Sequence, residues 1–312
     1  MPEGDTLFRT AEVLRAVLVG RRVAAARGRP GGARLQLLEG RTIERVEARG
    51  KHLLIVAQGG LTLHTHLGMH GSWHRYREGE AWRRPAGQAV AVVEVPGAVA
   101  VCFSAPTVEL VESRALAIHP VLSRLGPDLL ATAPAGAAPG TDSVPGTAAG
   151  DEGASGELAG GREAGDEEAN DEEAVRRLRA PARAALSIGD ALLDQRALAG
   201  IGNVYRSEVC FVERVDPFAP VVDLDDRTLA RLVATGRRLL QANAHGRPRT
   251  TVGVADAGAP GPGGRLWVYG RAGRPCRRCG HPIRTAVAGP HARRVYWCAV
   301  CQPAITPGRR RP

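Results

Sequence analysis

Lysine is almost missing from this chain. Lys51 is the only one in 312 residues that carry 42 lysine and arginine side chains together. Positive charge therefore rests on guanidinium groups, whose planar fork suits bidentate contacts to phosphate, and the one ammonium stands out. Long apolar runs are also missing. No stretch of about 18 apolar residues occurs, and the first apolar segment has helical spacing, which argues against a membrane span or a secretory leader. With no leader, the six cysteines argue for a reducing, cytoplasmic setting and a metal site rather than disulfides.

What is present is an excess of positive charge. The formal net charge is +10 and the pI is near 10.1, which points to a polyanionic partner. Acidic residues gather in 131–173 (Asp142, Asp151, Glu152, Glu157, Glu163, Asp166, Glu167, Glu168, Asp171, Glu172 and Glu173 against Arg162). The remainder is correspondingly more basic. Residues 131–170 are otherwise mostly Ala, Gly, Pro, Ser and Thr, and they read as a disordered acidic insert.

In chain order, Leu7, Ala11, Leu14 and Leu18 recur at helical spacing, predicting a helix from Asp5 to Val19 with Asp5 or Thr6 as N-cap. Leu35–Leu38, Ile43–Ala48, His52–Ala57, Leu61–His66, Val90–Val95 and Val99–Phe103 read as strands of an antiparallel sandwich or barrel. Helical spacing returns in Glu173–Arg179, Ile188–Ala197, Val204–Val212 and Arg227–Asn243. The fold class is therefore α+β. Its expected divisions are a β-sandwich at 1–125, an acidic linker at 126–172, a helical domain at 173–264, and a finger with a basic tail at 265–312.

Four features carry chemistry. Removal of Met1 would expose Pro2 as a secondary amine beside Glu3. An α-amino group titrates near pH 7.7–8.0, and a helix N-terminus beside it disfavours the ammonium, so the amine can act as a nucleophile. The glycine-rich turn Leu198–Tyr205 presents backbone N–H groups at a helix start, as a phosphate site does, although a ligand-free helix–helix turn has the same pattern. Cys276-x2-Cys279 and Cys298-x2-Cys301, 18 residues apart, have the spacing of a four-cysteine structural zinc site. Arg277, Arg278, Arg284, Arg293 and Arg294 make that finger basic. Cys102 and Cys210 read as buried core residues. His64, His66 and His70 lie in or beside a strand with no acidic residue nearby in sequence, and they read as polar-face residues rather than metal ligands.

Taken in order, Pro2-Glu3-Gly4, the sandwich, Gly50-Lys51-His52-Leu53-Leu54, Gly200-Ile201-Gly202-Asn203 and the four-cysteine finger closely resemble the formamidopyrimidine-DNA glycosylase/endonuclease VIII family of base-excision repair. Pro-Glu-Gly at the start is most similar to the endonuclease VIII branch. The resemblance spans everything except the acidic insert. It implies a bifunctional glycosylase/AP lyase acting on oxidised pyrimidines in damaged double-stranded DNA, with β,δ-elimination. It implies Pro2 as nucleophile, Glu3 as proton-transfer carboxylate, Lys51 and Asn203 as phosphate contacts, and Arg293 as a phosphate contact that supports elimination. Met69 would be the side chain inserted into the duplex. One structural Zn2+ and a monomer without small-molecule cofactor are expected. Oxidised purines are the alternative substrate class, and a non-catalytic sensor of damaged DNA is the alternative of another kind. Thr6 departs from a glutamate often found there, and Arg247–Gly264 does not match the lesion-capping loop of the purine-directed branch.

Overall fold

The computed structural model describes residues 2–131, 157–245, 248–253, 265–290 and 292–304. Its first element, α1 (Gly4–Leu18), begins one residue before the expected start. Leu7, Ala11, Leu14 and Leu18 form its buried stripe, and each fully buried leucine contributes about 1.5–3 kcal/mol. The N-cap position falls on Glu3, not on Asp5 or Thr6, and Glu3 makes no side-chain cap to its own helix. Both acidic side chains at this end are engaged elsewhere, as described below.

Eight strands follow: β1 (Ala25–Gly28), β2 (Ile43–Arg49), β3 (His52–Ala57), β4 (Leu61–His66), β5 (Ser72–Tyr76), β6 (Ala89–Val95), β7 (Ala98–Phe103) and β8 (Thr107–Glu112). They build two antiparallel four-stranded sheets, ordered β2-β3-β4-β8 and β1-β6-β7-β5. Leu53, Ile55 and Ala57 of β3, Leu63 of β4, and Val93, Ala100 and Cys102 of the second sheet share one core with the α1 stripe. Successive side chains alternate between faces of a sheet. His52 and Leu54 of β3, His64 and His66 of β4, and Glu109 of β8 therefore lie on the opposite, outer face. Residues 113–124 cover that face, with Leu54 packed beside Leu116 and Leu122. Leu35–Leu38 is a 3-10 turn rather than the expected strand. Its buried residues are Leu35 and Leu38, and that three-residue spacing suits a tight helical turn.

The acidic stretch requires a correction. A helix, α2, runs Glu157–Leu178, so the portion of the insert from 157 onward is helical, while 132–156 lies outside the described residues. Ala174 and Leu178 enter the core of the helical domain. Asp171 accepts hydrogen bonds from Arg237 at 2.6 and 3.0 Å, and Gln241 donates to Glu167 at 2.9 Å. Part of the acid that reads as solvated spacer thus faces Arg237 and Gln241 of a packed neighbour. That neighbour is α5 (Asp226–Ala242), capped by Asp225, whose carboxylate accepts from the Thr228 N–H. Between them stand α3 (Ile188–Ala191), much shorter than the expected Ile188–Ala197, and α4 (Asn203–Val212). The last element is the hairpin of β9 (Arg284–Ala288) and β10 (Arg293–Trp297). Cys102 and Cys210 are buried, as expected. Among the described residues no helix is long and apolar enough to cross a membrane.

Candidate functional site

Three segments distant in sequence meet at the start of α1. The Gly4 N–H donates to the Gly200 carbonyl at 2.9 Å. A Cβ on Gly4 would stand 2.9 Å from the Gly200 Cα, and one on Gly202 would stand 2.4 Å from the Glu3 carboxyl carbon. These approaches exclude any side chain, which accounts for glycine on both sides. Gly50, in the turn between β2 and β3, has φ +58°, a left-handed conformation that glycine adopts without penalty. Its N–H donates to Asp128 at 2.6 Å. Burial pushes the Asp128 carboxyl up despite the hydrogen bonds from Gly50 and Leu130.

Glu3 is fully buried, and its carboxylate caps α4 rather than α1. It accepts from the N–H groups of Gly202 at 3.0 Å, Val204 at 2.8 Å and Tyr205 at 3.4 Å. The glycine-rich turn therefore presents its helix-start donors, as its pattern foretells, but to a carboxylate of this chain. Pro2 directly precedes Glu3 and is half-buried, so its position is fixed by a side chain clamped to another domain. Asp5, also fully buried, pairs with Arg249 through two hydrogen bonds, one of 2.8 Å. Arg249 also donates to Thr6 at 3.1 Å and lies 5.0 Å from the Tyr205 ring centre. Burial would lower the Arg249 guanidinium, but the Asp5 hydrogen bonds and Glu3 outweigh it and hold it above the usual range.

Lys51 follows the Gly50 turn into the same enclosure. Burial is the main cause of its depressed pKa of about 8; Glu3 pulls the other way, and Arg293 and Arg249 add to the depression. That coupling brings Glu3, Lys51, Arg249 and Arg293 into one electrostatic neighbourhood. Near neutrality Lys51 remains a cation, but one that a phosphate would stabilise strongly.

The finger is tied to α4 through backbone. Asn203 donates from Nδ2 to the Arg294 carbonyl at 3.0 Å, and Arg206 donates to the Arg293 and Arg294 carbonyls at 3.2 and 3.3 Å. Arg206 is fully buried and also pairs with Asp190 at 3.1 Å. Asn203 thus anchors the strand that carries Arg293, and a phosphate contact would use its second amide hydrogen. Glu208, one turn further along α4, accepts from the N–H groups of Trp267, Val268 and Tyr269 at 2.8, 2.9 and 2.8 Å and from the Thr251 hydroxyl.

Cys276, Cys279, Cys298 and Cys301 place their sulfurs within 4.8 Å of one another. The Cys276–Cys301 and Cys279–Cys298 sulfur separations are 3.9 and 3.4 Å. Four thiolates tetrahedrally around zinc at about 2.3 Å would stand about 3.8 Å apart, so the donor set and spacing fit a closed structural site. Met69 is 65 % exposed, in the turn after β4. Arg84 braces that turn by donating to the His70 carbonyl at 3.3 Å and to Ser72 Oγ at 2.9 Å.

Sequence reasoning did not single out Arg249, Tyr205, Asp128, Glu208 or Arg206. Each acts by satisfying a buried partner from a remote segment, and no short motif announces such a pairing. The histidines gain a partner that the sequence does not announce. Glu109, remote in sequence, pairs with His64 across β4 and β8 and accepts from it at 3.1 Å, so an acidic partner is present in space.

Comparison with known proteins agrees with this layout. Residues 1–106 match the family model "Formamidopyrimidine-DNA glycosylase N-terminal domain", and 161–252 match "Formamidopyrimidine-DNA glycosylase H2TH domain". The chain is 38 % identical to the "Probable endonuclease 8 2" of Streptomyces coelicolor, over 99 % of this chain and 98 % of that protein. It is 37 % identical to the "DNA-(apurinic or apyrimidinic site) lyase Nei2" of Mycolicibacterium smegmatis, over 97 % and 100 %. Among solved structures, MutM (Fpg) from Thermus thermophilus aligns with TM-score 0.69 at 27 % identity, over 96 % and 98 % of the two chains. Lactococcus lactis Fpg bound to DNA containing an abasic site aligns with TM-score 0.71 at 20 % identity, over 97 % and 100 %, which speaks to the fold.

Proposed function

The chain belongs to the formamidopyrimidine-DNA glycosylase/endonuclease VIII family, and from that premise we propose that it excises oxidised pyrimidines from DNA through a Schiff base on Pro2. At the coarser level it is a DNA glycosylase with AP lyase activity in base-excision repair. The observation that carries the finer reading is the enclosure around Glu3, where a clamped carboxylate, Lys51 and Arg293 gather beside the residue that would bear the amine.

In the proposed reaction the Pro2 nitrogen forms a bond to C1′ as the bond from C1′ to the damaged base breaks, and the base leaves with a proton taken from water. Glu3 takes the proton that the Pro2 nitrogen sheds and passes it to the ring oxygen as the sugar opens, leaving an iminium. The iminium acidifies the C2′ proton, whose removal expels the 3′ phosphate; a second elimination expels the 5′ phosphate. Lys51, Arg293 and Asn203 hold the phosphates flanking the extruded nucleotide, and Met69 fills the vacated stack. The zinc finger's task is to stiffen the hairpin that carries Arg293.

Two features favour pyrimidines: the Pro-Glu-Gly opening, and an Arg247–Gly264 sequence that does not match the lesion-capping loop of the purine-directed branch. The test is a borohydride-trapping panel at one fixed salt concentration, since phosphate contacts make affinity salt-dependent. Thymine glycol and 5-hydroxycytosine duplexes should be trapped at least tenfold faster than 8-oxoguanine or formamidopyrimidine duplexes, about 1.4 kcal/mol in transition-state stabilisation. Equal or reversed rates would remove the pyrimidine assignment and leave the lyase.

A further inference from the structure

Behind Lys51, on the outer face of the first sheet, runs a continuous chain of titratable side chains. His119, from the segment covering that face, accepts from the backbone N–H groups of Val121 and Leu122 at Nδ1, at 3.3 and 3.2 Å. With Nδ1 serving as acceptor, the neutral ring carries its proton on Nε2, which lies 3.1 Å from Glu109 Oε2 and donates to it. The same carboxylate oxygen lies 3.1 Å from His64 Nδ1. A carboxylate only accepts, so His64 donates from Nδ1 and its Nε2 is left bare. His52 Nδ1 lies 2.8 Å from that Nε2 and must be the donor. The order of protons is thereby fixed from the sheet edge inward, and it leaves Nε2 as a bare acceptor on His52, the residue that directly follows Lys51. His66 stands opposite His52 in the β3–β4 register, with ring centres 4.8 Å apart.

We propose that Glu109, His119 and His64 position Lys51 through its chain neighbour His52, by fixing the His52 imidazole in its Nδ1–H tautomer and so keeping a bare acceptor, rather than a second N–H donor, on the residue next to the lysine. His52, His64 and Glu109 share one face through strand register, and only the His119 end depends on the covering segment. Side-chain exposure is 2 % for His64 and 45 % for Glu109, so the chain joins a nearly dry interior to solvent. Three ligand-type groups converge at Glu109, but a metal on His119 Nε2 would require the proton at Nδ1, against two backbone donors. The geometry favours hydrogen bonding over coordination.

The electrostatics agree. Burial pushes His52 down to about 3, with His66, His64, His119 and Lys51 adding to the effect. Burial lowers His64 by more than Glu109 raises it, and burial and Lys51 lower His66. Burial would raise Glu109, but the hydrogen bonds from His119 and His64 outweigh it and hold the carboxyl below its ordinary range. The groups facing Lys51 are then neutral His52 and His66, anionic Glu3, and cationic Arg249 and Arg293. A Lys51 ammonium that titrates near 8 would lose its hold on phosphate as pH rises through that value.

The inference rests on the reading of Lys51 as a phosphate contact, so the test has one arm that does not pass through Lys51. Imidazole nitrogen NMR on the zinc-loaded, full-length chain at neutral pH should assign Nδ1–H to His64 and His52 and Nε2–H to His119. In Glu109→Leu, His64 loses its acceptor and the His52 proton should move to Nε2. Glu109→Gln, whose amide oxygen still accepts from His64, should keep the wild-type tautomers. The second arm measures affinity for a duplex with a stable abasic-site analogue across pH 6.5–9.5. Wild type and Glu109→Gln should lose affinity with one midpoint near 8, and Glu109→Leu with a midpoint about half a unit lower, a threefold change in the ammonium-to-amine ratio. His64 found as Nε2–H in wild type, unchanged His52 resonances in Glu109→Leu, or a second stoichiometric metal lost with Glu109 would overturn the network. An alkaline midpoint that persists in Lys51→Met would instead overturn the reading of Lys51, with the tautomer arm still deciding the network.

Discussion

Replacing Cys298 with serine should release the metal and, with it, the grip of the finger on DNA. The finger's apolar cluster is Trp267, Val268 and Ile283 with Phe211 of α4 and the cysteines themselves, whereas a structural zinc supplies about 10–16 kcal/mol of apparent binding free energy in finger peptides. Glu208 still binds the 267–269 backbone and Arg206 still reaches for the strand of Arg293, but those bonds presuppose a folded hairpin. Loss of Arg293 alone removes a charge-assisted contact of about 1.5–3 kcal/mol, so affinity should fall at least tenfold and the salt dependence should become shallower. The sandwich and helical cores, which share no residue with the finger cluster, should keep their far-ultraviolet signature. Metal content, duplex affinity at several salt concentrations and circular dichroism check this together. Full affinity after confirmed metal loss would refute the role given to the finger.

Glu3→Gln should be the most damaging isosteric change in the chain. The carboxylate accepts from three backbone N–H groups at the start of α4; an amide retains one acceptor oxygen and turns an NH2 toward the remaining donors. Loss of such a cap costs about 0.5–2 kcal/mol. The chemical effect should be larger, because a positioned proton-transfer group contributes about 10²–10⁴-fold. Thermal unfolding and single-turnover excision separate the two. A small drop in melting temperature with base excision slowed at least a hundredfold is the expected pair of results. Excision within threefold of wild type would show that Glu3 is a cap and nothing more.

The parts of the site legible in the sequence are those whose chemistry is local. Two Cys-x2-Cys pairs state a ligand set by spacing alone, and the structure gathers all four sulfurs. Gly200 and Gly202 mark a helix start: Gly200 has φ +106°, a conformation side chains rarely adopt, and a Cβ on Gly202 would strike the Glu3 carboxyl. What the sequence hides is pairing across distance. Nothing near Asp5 indicates that Arg249 will neutralise it, and an arginine-rich chain offers too many candidates. Glu109 became the partner of His64 only through strand register. It sits in β8, an edge strand whose residues are all half-buried or exposed, so the alternation that marks a strand is weak there. Acidic composition concealed α2 for a related reason: its interior is polar, and Asp171 finds its partner on α5 rather than in its own helix. Leu35–Leu38, with apolar residues and no turn former, resembles a short strand until its two buried leucines place it in a 3-10 turn.

The scarcity of lysine makes the central claim unusually direct to test. A Schiff base needs a primary or secondary amine, and once Met1 is removed this chain has two, the Pro2 nitrogen and the Lys51 Nζ. Borohydride reduction on abasic-site duplex, followed by proteolysis and mass spectrometry, assigns the covalent bond to one of them. The adduct should lie on the peptide that begins at Pro2, with Lys51 unmodified. An adduct on Lys51, or equal trapping by protein that retains Met1, would contradict a proline nucleophile.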